Sequence, residues 1–484
     1  MPLTLIIGLI LRVLVALGII LHILYREKEA DVQLIWLLLI ALLPVAGLIT
    51  YALCGINYRR SDVRERLHGR TWRLFGQLPE DLARTLFPEN RQEKVEARFR
   101  PLVQLLRACG DGNRFYEGNA MEIITSGLRK RELLLEDIRK AKKFIHIEYF
   151  RFGNDKAGME VRDALLQKVK EGVEVRFLNN NMIGRNIPRS YFRKMAKDGI
   201  EVLPYTHIRN GFRSFLMRIN CQNHRKIVVI DGEVAYTGGM NLNDNYFFKW
   251  RDTHLRIQGP VVARLQASFI DSWVSSGGRL SHPLRYYFPL PQPIVWDAPF
   301  KDQCMQVVTD SAEYPYPTTL LGYEWILQNA RDYVYIHTPY FVPPTSFLNA
   351  LKSAALRGVD VRLMLPKRVD TPLIGPANRS VYAECLAAGV RIFERSGEFI
   401  HSKTLVCDNS LSIIGASNLD MRSFFTNSEV NCFIYDAQTA QFCREQFLKD
   451  SEGTKEWTLE SWKNSRKWYQ EMSSHFMRLF HRLL

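Results

Sequence analysis

His224 and Lys226 stand two residues apart at the start of NHRKIVVIDG, residues 223–232. In an extended strand alternate side chains share a face, so an imidazole and an ammonium point the same way. They do so at the head of a run, 227–230, that is otherwise apolar enough to be buried. Asp231 and Gly232 then close the strand as a hairpin turn. The whole set returns downstream. His224, Lys226 and Asp231 recur as His401, Lys403 and Asp408, Gly238 and Asn241 as Gly415 and Asn418, and Asp252 as Glu429, every pair 177 positions apart.

Taken singly, each residue has an ordinary explanation. A histidine on a strand is usually a packed or surface group, a lysine is usually solvated, and Asn241 and Asn418 suit helix caps. Asp231 and Asp408 fall on the opposite strand parity from the histidine and lysine, so they read as supports of the turn rather than proton carriers. Repetition of the complete set at one spacing favours function. Two lobes facing one cleft would surround a phosphoryl group with two lysines and two asparagines. One imidazole can then attack phosphorus, and the other can protonate the departing alkoxide and later deprotonate the incoming hydroxyl. Opposite protonation states on like groups imply coupled titration and a bell-shaped rate profile. Asp252 and Glu429 each lie 28 residues after the histidine of their own copy. Each is expected to orient that histidine by holding one ring nitrogen. The scheme needs no metal and no cofactor.

The elements that must position these groups alternate between strand and helix. AKKFIHIEYF (141–150) reads as a strand, AGMEVRDALLQKVKEG as a helix, VEVRFLNN as a strand, RSYFRKMAKDG as a helix and IEVLPY as a strand, with helix ends at Gly172 and Gly199. ARDYVYIHTPYF (330–341) restarts the same order, and Gly358 and Gly389 mark the matching helix ends. The chain is therefore an internal duplication of an α/β unit. The proline-rich stretch 288–300 is the natural joint between lobes at 116–288 and 289–484. An insertion separates the halves, since Gly199 to His224 spans 25 positions and Gly389 to His401 only 12. Its THIRNGFRSFLMRINCQ mixes arginines with large apolar residues, as a lip facing a membrane would.

Composition narrows the partner. The 484 residues are 46% hydrophobic and 24% charged, with a net charge of +15 that attracts polyanions. Eight cysteines contain no CxxC pair, which argues against a structural zinc site and for buried thiols in a reducing compartment. The first 56 residues carry two apolar runs, 3–25 and 34–53, each long enough to span a bilayer. A basic linker follows at 57–115, with arginines at 59, 60, 64, 66, 70 and 73. By the positive-inside rule this side is cytoplasmic, giving a multi-pass transmembrane hairpin with the catalytic part in the cytoplasm. The C-terminal WKNSRKWYQEMSSHFMRLFHRLL is basic and aromatic-rich, as a membrane-surface helix is.

HRKIVVIDGEVAYTGGMN and HSKTLVCDNSLSIIGASN resemble the phospholipase D superfamily pattern, HxKxxxxD followed by a Gly-x-x-Asn element. TPYFVP, NLDMRSFFTNSE, the two apolar runs and the length resemble the bacterial cardiolipin synthases of that superfamily. The resemblance covers essentially the whole chain. It implies two pseudo-twofold-related lobes of mixed sheet flanked by helices behind a transmembrane helical hairpin in the bacterial inner membrane. It implies a catalytic set of His224, Lys226, Asp231, His401, Lys403 and Asp408, with Asn241 and Asn418 on the substrate. It also implies phosphatidylglycerol as donor and acceptor, cardiolipin and glycerol as products, His224 as nucleophile and His401 as acid and base. Anionic phospholipid and the membrane surface are then the partners, and nucleic acid is not. Gly239 departs from the pattern, which often has serine there. Three alternatives stay open on the residues alone: a lipid hydrolase or a transferase with another donor or alcohol, a nuclease, and a scaffold with a relic site.

Overall fold

A computed structural model describes residues 3–26, 30–54, 78–86, 88, 92–110, 112–180, 187–205, 221–290, 293–294, 296–371 and 374–478. The arginine cluster at 59–73 and most of the inserted loop, 206–220, lie outside the described residues. The chain forms two compact units, Met1–Glu65 and Arg66–Leu484.

The first unit is helical. A 24-residue helix, Leu3–Arg26, is followed by Ala30–Leu42 and Pro44–Cys54. The second apolar run does not form one helix, because Pro44 has no N–H to continue the ladder. Gly47 lets the two pieces close on each other, since a Cβ there would lie 2.8 Å from the Ile40 backbone. Counted over the described residues, no helix is long and apolar enough to cross a membrane.

In the second unit the repeated glycines end helices as their spacing predicts. Lys156–Lys170, Arg189–Lys197, Thr345–Leu356 and Tyr382–Ala387 each finish just before Gly172, Gly199, Gly358 or Gly389, all at φ between 85° and 103°. The next amide then turns back onto the last turn, as in Val173 N–H to Lys168 O at 3.0 Å and Val390 N–H to Cys385 O at 3.0 Å.

The first lobe contributes β1 (Phe115–Ile124), β2 (Phe144–Tyr149), β3 (Glu174–Asn179), β4 (Glu201–Pro204), β5 (Lys226–Ile230), β6 (Val234–Gly238) and β7 (His254–Gln258). The second contributes β8 (Phe300–Asp310), β9 (Tyr333–His337), β10 (Phe341–Val342), β11 (Asp360–Pro366), β12 (Arg391–Arg395), β13 (Thr404–Cys407), β14 (Leu411–Gly415), β15 (Leu419–Asp420), β16 (Glu429–Ile434) and β17 (Lys455–Trp457). Fifteen of them form one sheet in the order β17-β12-β11-β9-β13-β14-β16-β8-β1-β7-β6-β5-β2-β3-β4. Apart from β17 at one edge, that order reads the same from both ends once each strand is replaced by its repeat partner. The centre is the antiparallel pair β1–β8. A pseudo-twofold axis passes through that joint, so the mixed α/β sheet expected from the duplication is continuous across both lobes.

Strand β5 is buried on both faces. Ile227 and Val229 pack in a core that both lobes share, under the helices Val262–Ser275 and Ala437–Ser451. Val228 and Ile230 pack on the other side with residues of the helices Gly127–Lys140 and Lys156–Lys170. Each such side chain stabilises the fold by roughly 1.5–3 kcal/mol. That apolar burial offsets the cost of holding Lys226 in the same strand at 0% exposure.

Candidate active site

His224 and His401 sit where their chains enter the central sheet, and the lobes hold them there reciprocally. His224 N–H donates to Ser428 O at 2.8 Å and Ser428 N–H to Gln222 O at 2.8 Å. On the other side of the axis His401 N–H donates to Arg251 O at 2.7 Å and Arg251 N–H to Phe399 O at 3.0 Å. Each histidine is thereby stitched to the residue just before the other lobe's carboxylate.

The side chains follow the backbone. His224 Nδ1 lies 3.0 Å from both carboxylate oxygens of Glu429, and His401 Nδ1 lies 2.7 Å from Asp252 Oδ2. The carboxylates therefore orient the histidines, but the expected pairing within each copy is wrong. Asp252 serves His401 and Glu429 serves His224. Both copies share the 28-residue spacing, so crossed and uncrossed pairs look identical in sequence. Only the parallel bridges Asn223–Ser428 and Arg251–Ile400 distinguish them. An imidazole whose Nδ1–H is donated to a carboxylate keeps its Nε2 lone pair for substrate.

All eight groups are buried: both histidines, Lys226, Lys403, Asn241, Asn418, Asp252 and Glu429. Lys226 Nζ donates to His224 O at 2.6 Å. Lys403 Nζ donates to His401 O and lies 3.0 Å from His401 Nε2. Because Nδ1–H is committed to Asp252, Nε2 is the nitrogen that can accept from this lysine. Asn241 Oδ1 accepts from Arg151 N–H at 3.1 Å, while its Nδ2 is buried with no hydrogen-bond partner. Asn418 Oδ1 is likewise buried and unpartnered. Neither caps a helix. That work falls to Asn243 for Asp244–Phe248 and to Asp420 for Met421–Phe425. The Asn241 amide N–H, buried and unsatisfied, suits a ligand with acceptor oxygens, whereas Asn418 Oδ1 can only accept and suits a ligand hydroxyl.

Asp231 and Asp408 do not join this cluster, and each sits instead in the hairpin turn at the far end of its strand. At the far end of β5, Asp231 accepts from the backbone N–H groups of Lys142, Lys143 and Phe144 at 2.7, 2.8 and 2.9 Å. Asp408 does the same for Arg331, Asp332 and Tyr333 and pairs with Arg98 at 2.7 Å. Both lie in hairpin turns at positive φ, 54° and 48°. Each fastens the hairpin to the loop leading into the neighbouring strand, the supporting role that their parity indicates.

Charge is distributed unevenly over the pair. Burial and Lys226 hold His224 well below its usual range, and burial with Lys403 lowers His401 to about 3. Burial lowers Lys403 to about 8, opposed by Asp252 and Glu429. Burial pushes Glu429 up to about 7, opposed chiefly by Lys226. Burial acts on Asp252 in the same sense, but Lys403 and His401 outweigh it and hold Asp252 below its usual value. Burial and the lysines thus favour neutral imidazoles, and Asp252 is the more firmly ionised carboxylate.

Gly239 is explained by Asp252. A Cβ at Gly239 would lie 2.1 Å from Asp252 Oδ1, so serine would displace the carboxylate. Sequence reasoning missed several neighbours. The Tyr246 hydroxyl lies 3.4 Å from His401 Nε2, and Phe150 meets His224 edge-on at 4.7 Å. Arg151 lies 3.8 Å from Asp370 across the lobes, and Tyr340 OH donates to the same carboxylate. Arg151 and Tyr340 stand at equivalent places after β2 and β9, which the repeat alignment could have flagged. Among the described residues no three His, Cys, Asp or Glu side chains converge as a metal-binding group.

Comparison with known proteins gives a consistent result. A family model described as cardiolipin synthase, PLD-like domain, matches residues 134–273 and 324–451. The major cardiolipin synthase ClsA of Bacillus subtilis (strain 168) is 34% identical over 468 residues, spanning 95% of this chain and 94% of its own. A cardiolipin synthase of Halalkalibacterium halodurans is 31% identical, spanning 98% and 93%. The crystal structure of a phosphatidylserine synthase of Haemophilus influenzae Rd KW20 overlays with a TM-score of 0.58 at 14% identity, over 79% of this chain and 98% of that one. It has the same fold.

Proposed function

The chain belongs to the cardiolipin synthase, phospholipase D-like family, and from that membership and the site geometry we propose that it condenses two phosphatidylglycerol molecules into cardiolipin and glycerol. The observation that carries the chemistry is the crossed pair of carboxylate-held imidazoles beside two buried lysines.

His224 Nε2 attacks the phosphorus of the first phosphatidylglycerol. The P–O bond to the headgroup glycerol breaks, and His401 Nε2–H gives its proton to the leaving oxygen. Glycerol departs and a phosphatidyl-His224 intermediate remains. His401, now neutral, takes the proton from a glycerol hydroxyl of the second phosphatidylglycerol. That oxygen attacks phosphorus, the P–N bond breaks and cardiolipin leaves. Lys226, Lys403 and Asn241 Nδ2 surround the non-bridging oxygens, where charge develops in each transition state. The incoming phosphodiester supplies the negative charge that offsets Lys403 and lets His401 carry its proton. Two features support this division of roles. Asp252 is ionised and close to His401, which favours an imidazolium there. Glu429 is only partly ionised near neutral pH, which leaves His224 a neutral nucleophile.

The same reading places residues 1–56 in the bilayer of a bacterial inner membrane, with the lobes on the cytoplasmic side. Supporting it are the helices' outward apolar side chains: Leu14, Leu17, Leu21, Leu34, Leu38 and Leu42 are each more than half exposed to solvent. The deciding experiment incubates the purified chain with phosphatidylglycerol vesicles, with and without chelator. Cardiolipin plus glycerol in both supports the reading. Phosphatidic acid as sole product would make the chain a hydrolase, and loss with chelator restored by metal would overturn the mechanism.

A further inference from the structure

Just beyond β2 and β9 the two lobes differ in charge. Phe152 bridges to Leu242 and Phe341 pairs with Leu419, so Arg151 and Tyr340, one residue earlier, are twofold-related. One lobe presents a guanidinium where the other presents a phenol. Arg151 N–H donates to Asn241 Oδ1 at 3.1 Å, which ties its backbone to the amide whose Nδ2 is left unpartnered. Its guanidinium carbon lies 5.6 Å from the centre of the Phe150 ring. The same ring meets His224 edge-on at 4.7 Å and has Lys226 Nζ at 5.5 Å. A single aromatic side chain therefore separates Arg151 from the imidazole and the ammonium of its own lobe. On its other flank Arg151 Nη1 lies 3.8 Å from Asp370 Oδ2, an ion-pair distance too long for a hydrogen bond. The second oxygen of Asp370 accepts from Tyr340 OH. The Arg151 side chain is half exposed, whereas Lys226 and Lys403 are buried.

We propose, on the phosphatidyl-transfer reading above, that Arg151 binds the phosphodiester of the acceptor lipid in exchange for Asp370, and so selects a lipid alcohol over water. In that half-reaction an acceptor hydroxyl oxygen attacks phosphorus, the P–N bond to His224 breaks and His401 Nε2 takes the hydroxyl proton. With phosphatidylglycerol as acceptor, a three-carbon bridge joins that oxygen to a second phosphodiester. Two anions then lie closer than the roughly 8 Å over which physiological salt screens charge. In the mechanism above Lys226 and Lys403 serve the first of them. The second calls for a cation of its own, and water as acceptor calls for none.

Arg151 stands where that cation is needed. Its charge lowers the proton affinity of His224 and Lys226 on one side and of Tyr246 on the other. The Tyr246 hydroxyl lies 3.4 Å from His401 Nε2, the atom to which the acceptor hydroxyl gives its proton. A guanidinium can hold two oxygens of one phosphodiester at once, which a pairing at 3.8 Å with Asp370 does not match. Tyr340 keeps Asp370 anchored when the phosphate takes its place.

The test uses the full chain reconstituted with phosphatidylglycerol and labelled free glycerol. Glycerol is the leaving group of the first half-reaction. It can return to phosphatidyl-His224 and exchange label into phosphatidylglycerol through the same reacting atoms, but it carries no phosphate. Arg151→Gln is expected to lower the ratio of cardiolipin formed to glycerol exchanged by about tenfold or more, and to raise the share of phosphatidic acid. Arg151→Lys, which keeps the charge, is expected to hold that ratio within about threefold of the parent. A parent-like ratio in Arg151→Gln, loss of both reactions together, or an equal drop in both variants overturns the proposal while leaving the phosphatidyl-transfer reading intact. Absence of cardiolipin from the parent chain overturns that reading and this proposal with it.

Discussion

Between its histidine and lysine the first half of the molecule places Arg225, and the second half places Ser402. Arg225 is buried and donates to Glu429 O at 3.3 Å and Asp310 O at 3.1 Å. In the second half the matching task falls to Arg251, which donates to Asp252 O at 2.8 Å, bonds Ser402 at 3.2 Å and pairs with Asp450 at 2.9 Å. Both guanidinium groups brace the carbonyl of the residue whose carboxylate holds a histidine, yet they enter from different positions in the repeat. One layer further back, Lys130 donates to Met240 O at 2.8 Å, whereas its counterpart Thr319 accepts from Asn431 at 3.1 Å. The pseudo-symmetry keeps the residue types of the paired histidines, lysines and asparagines and is looser behind them. In the proposed mechanism both halves meet the same phosphorus, and unequal proton affinity would let one imidazole attack and the other donate.

The sharpest way to break that contrast is to remove each imidazole in turn. His224→Ala should lower synthesis by about 10⁴-fold or more and leave no alkali-stable, acid-labile phosphoryl adduct on the protein, since nothing else replaces the nucleophile. His401→Ala should cost on the order of 10²–10⁴-fold. It should still form the lipid adduct from a phosphatidyl donor with a nitrophenol leaving group, which needs no proton. Trapping of phosphorus-labelled lipid with an alkaline detergent quench reads both, and an adduct only on His401 would reverse the assignment.

The carboxylates come next. Asp252→Asn is expected to cost on the order of 10²-fold or more, because a neutral amide cannot stabilise the imidazolium. Glu429→Gln should cost about tenfold and remove a rate limb near pH 7 that reports its raised pKa. Equal losses would erase the proposed division of labour. The linkage sign separates them too. A carboxyl with a raised folded pKa binds more protons when folded, so the stability from Glu429 is fully present below its ordinary pKa of 4.5 and is lost as pH rises through about 7. Asp252, lowered, contributes in the opposite sense, its share being lost as pH falls below its ordinary value. Stability-against-pH curves of the two variants should therefore depart from the parent in opposite directions.

A smaller effect tests the packing behind the acid. Gly239→Ala should lower activity about tenfold by driving Asp252 off His401, while Ala416→Gly, at the equivalent place in the second half, should change activity less than twofold. Smallest in rate but visible in stability, Asp450→Asn should lower the melting temperature by several degrees, corresponding to roughly 3 kcal/mol for breaking a mostly buried ion pair with Arg251 and Arg395. Its carboxyl is held at about 2, burial being outweighed by His337 and the two arginines.

Much of this was legible because duplication doubles each signal. The helix-ending glycines, the apolar run of β5 and the paired His-Lys sets could be read directly, and strand parity alone separated Asp231 from the proton carriers. The crossing of Asp252 and Glu429 could not, because equal spacing in both copies hides which partner lies nearer. Nor could the roles of Tyr246, Asp370 or Arg225, which depend on what meets across the axis and leave no periodic trace. The break at Leu43 was readable in principle from Pro44, but a long apolar run outweighed it.

The palindromic strand order has an ancestral implication. Neither half contains the carboxylate its own histidine uses, and the two halves are welded through one antiparallel pair, β1–β8. A single-copy forebear with this joint would have been inert alone and competent only as a twofold dimer. Fusion of two such copies would fix the stoichiometry and free each to change independently, in keeping with an aspartate beside one imidazole and a glutamate beside the other.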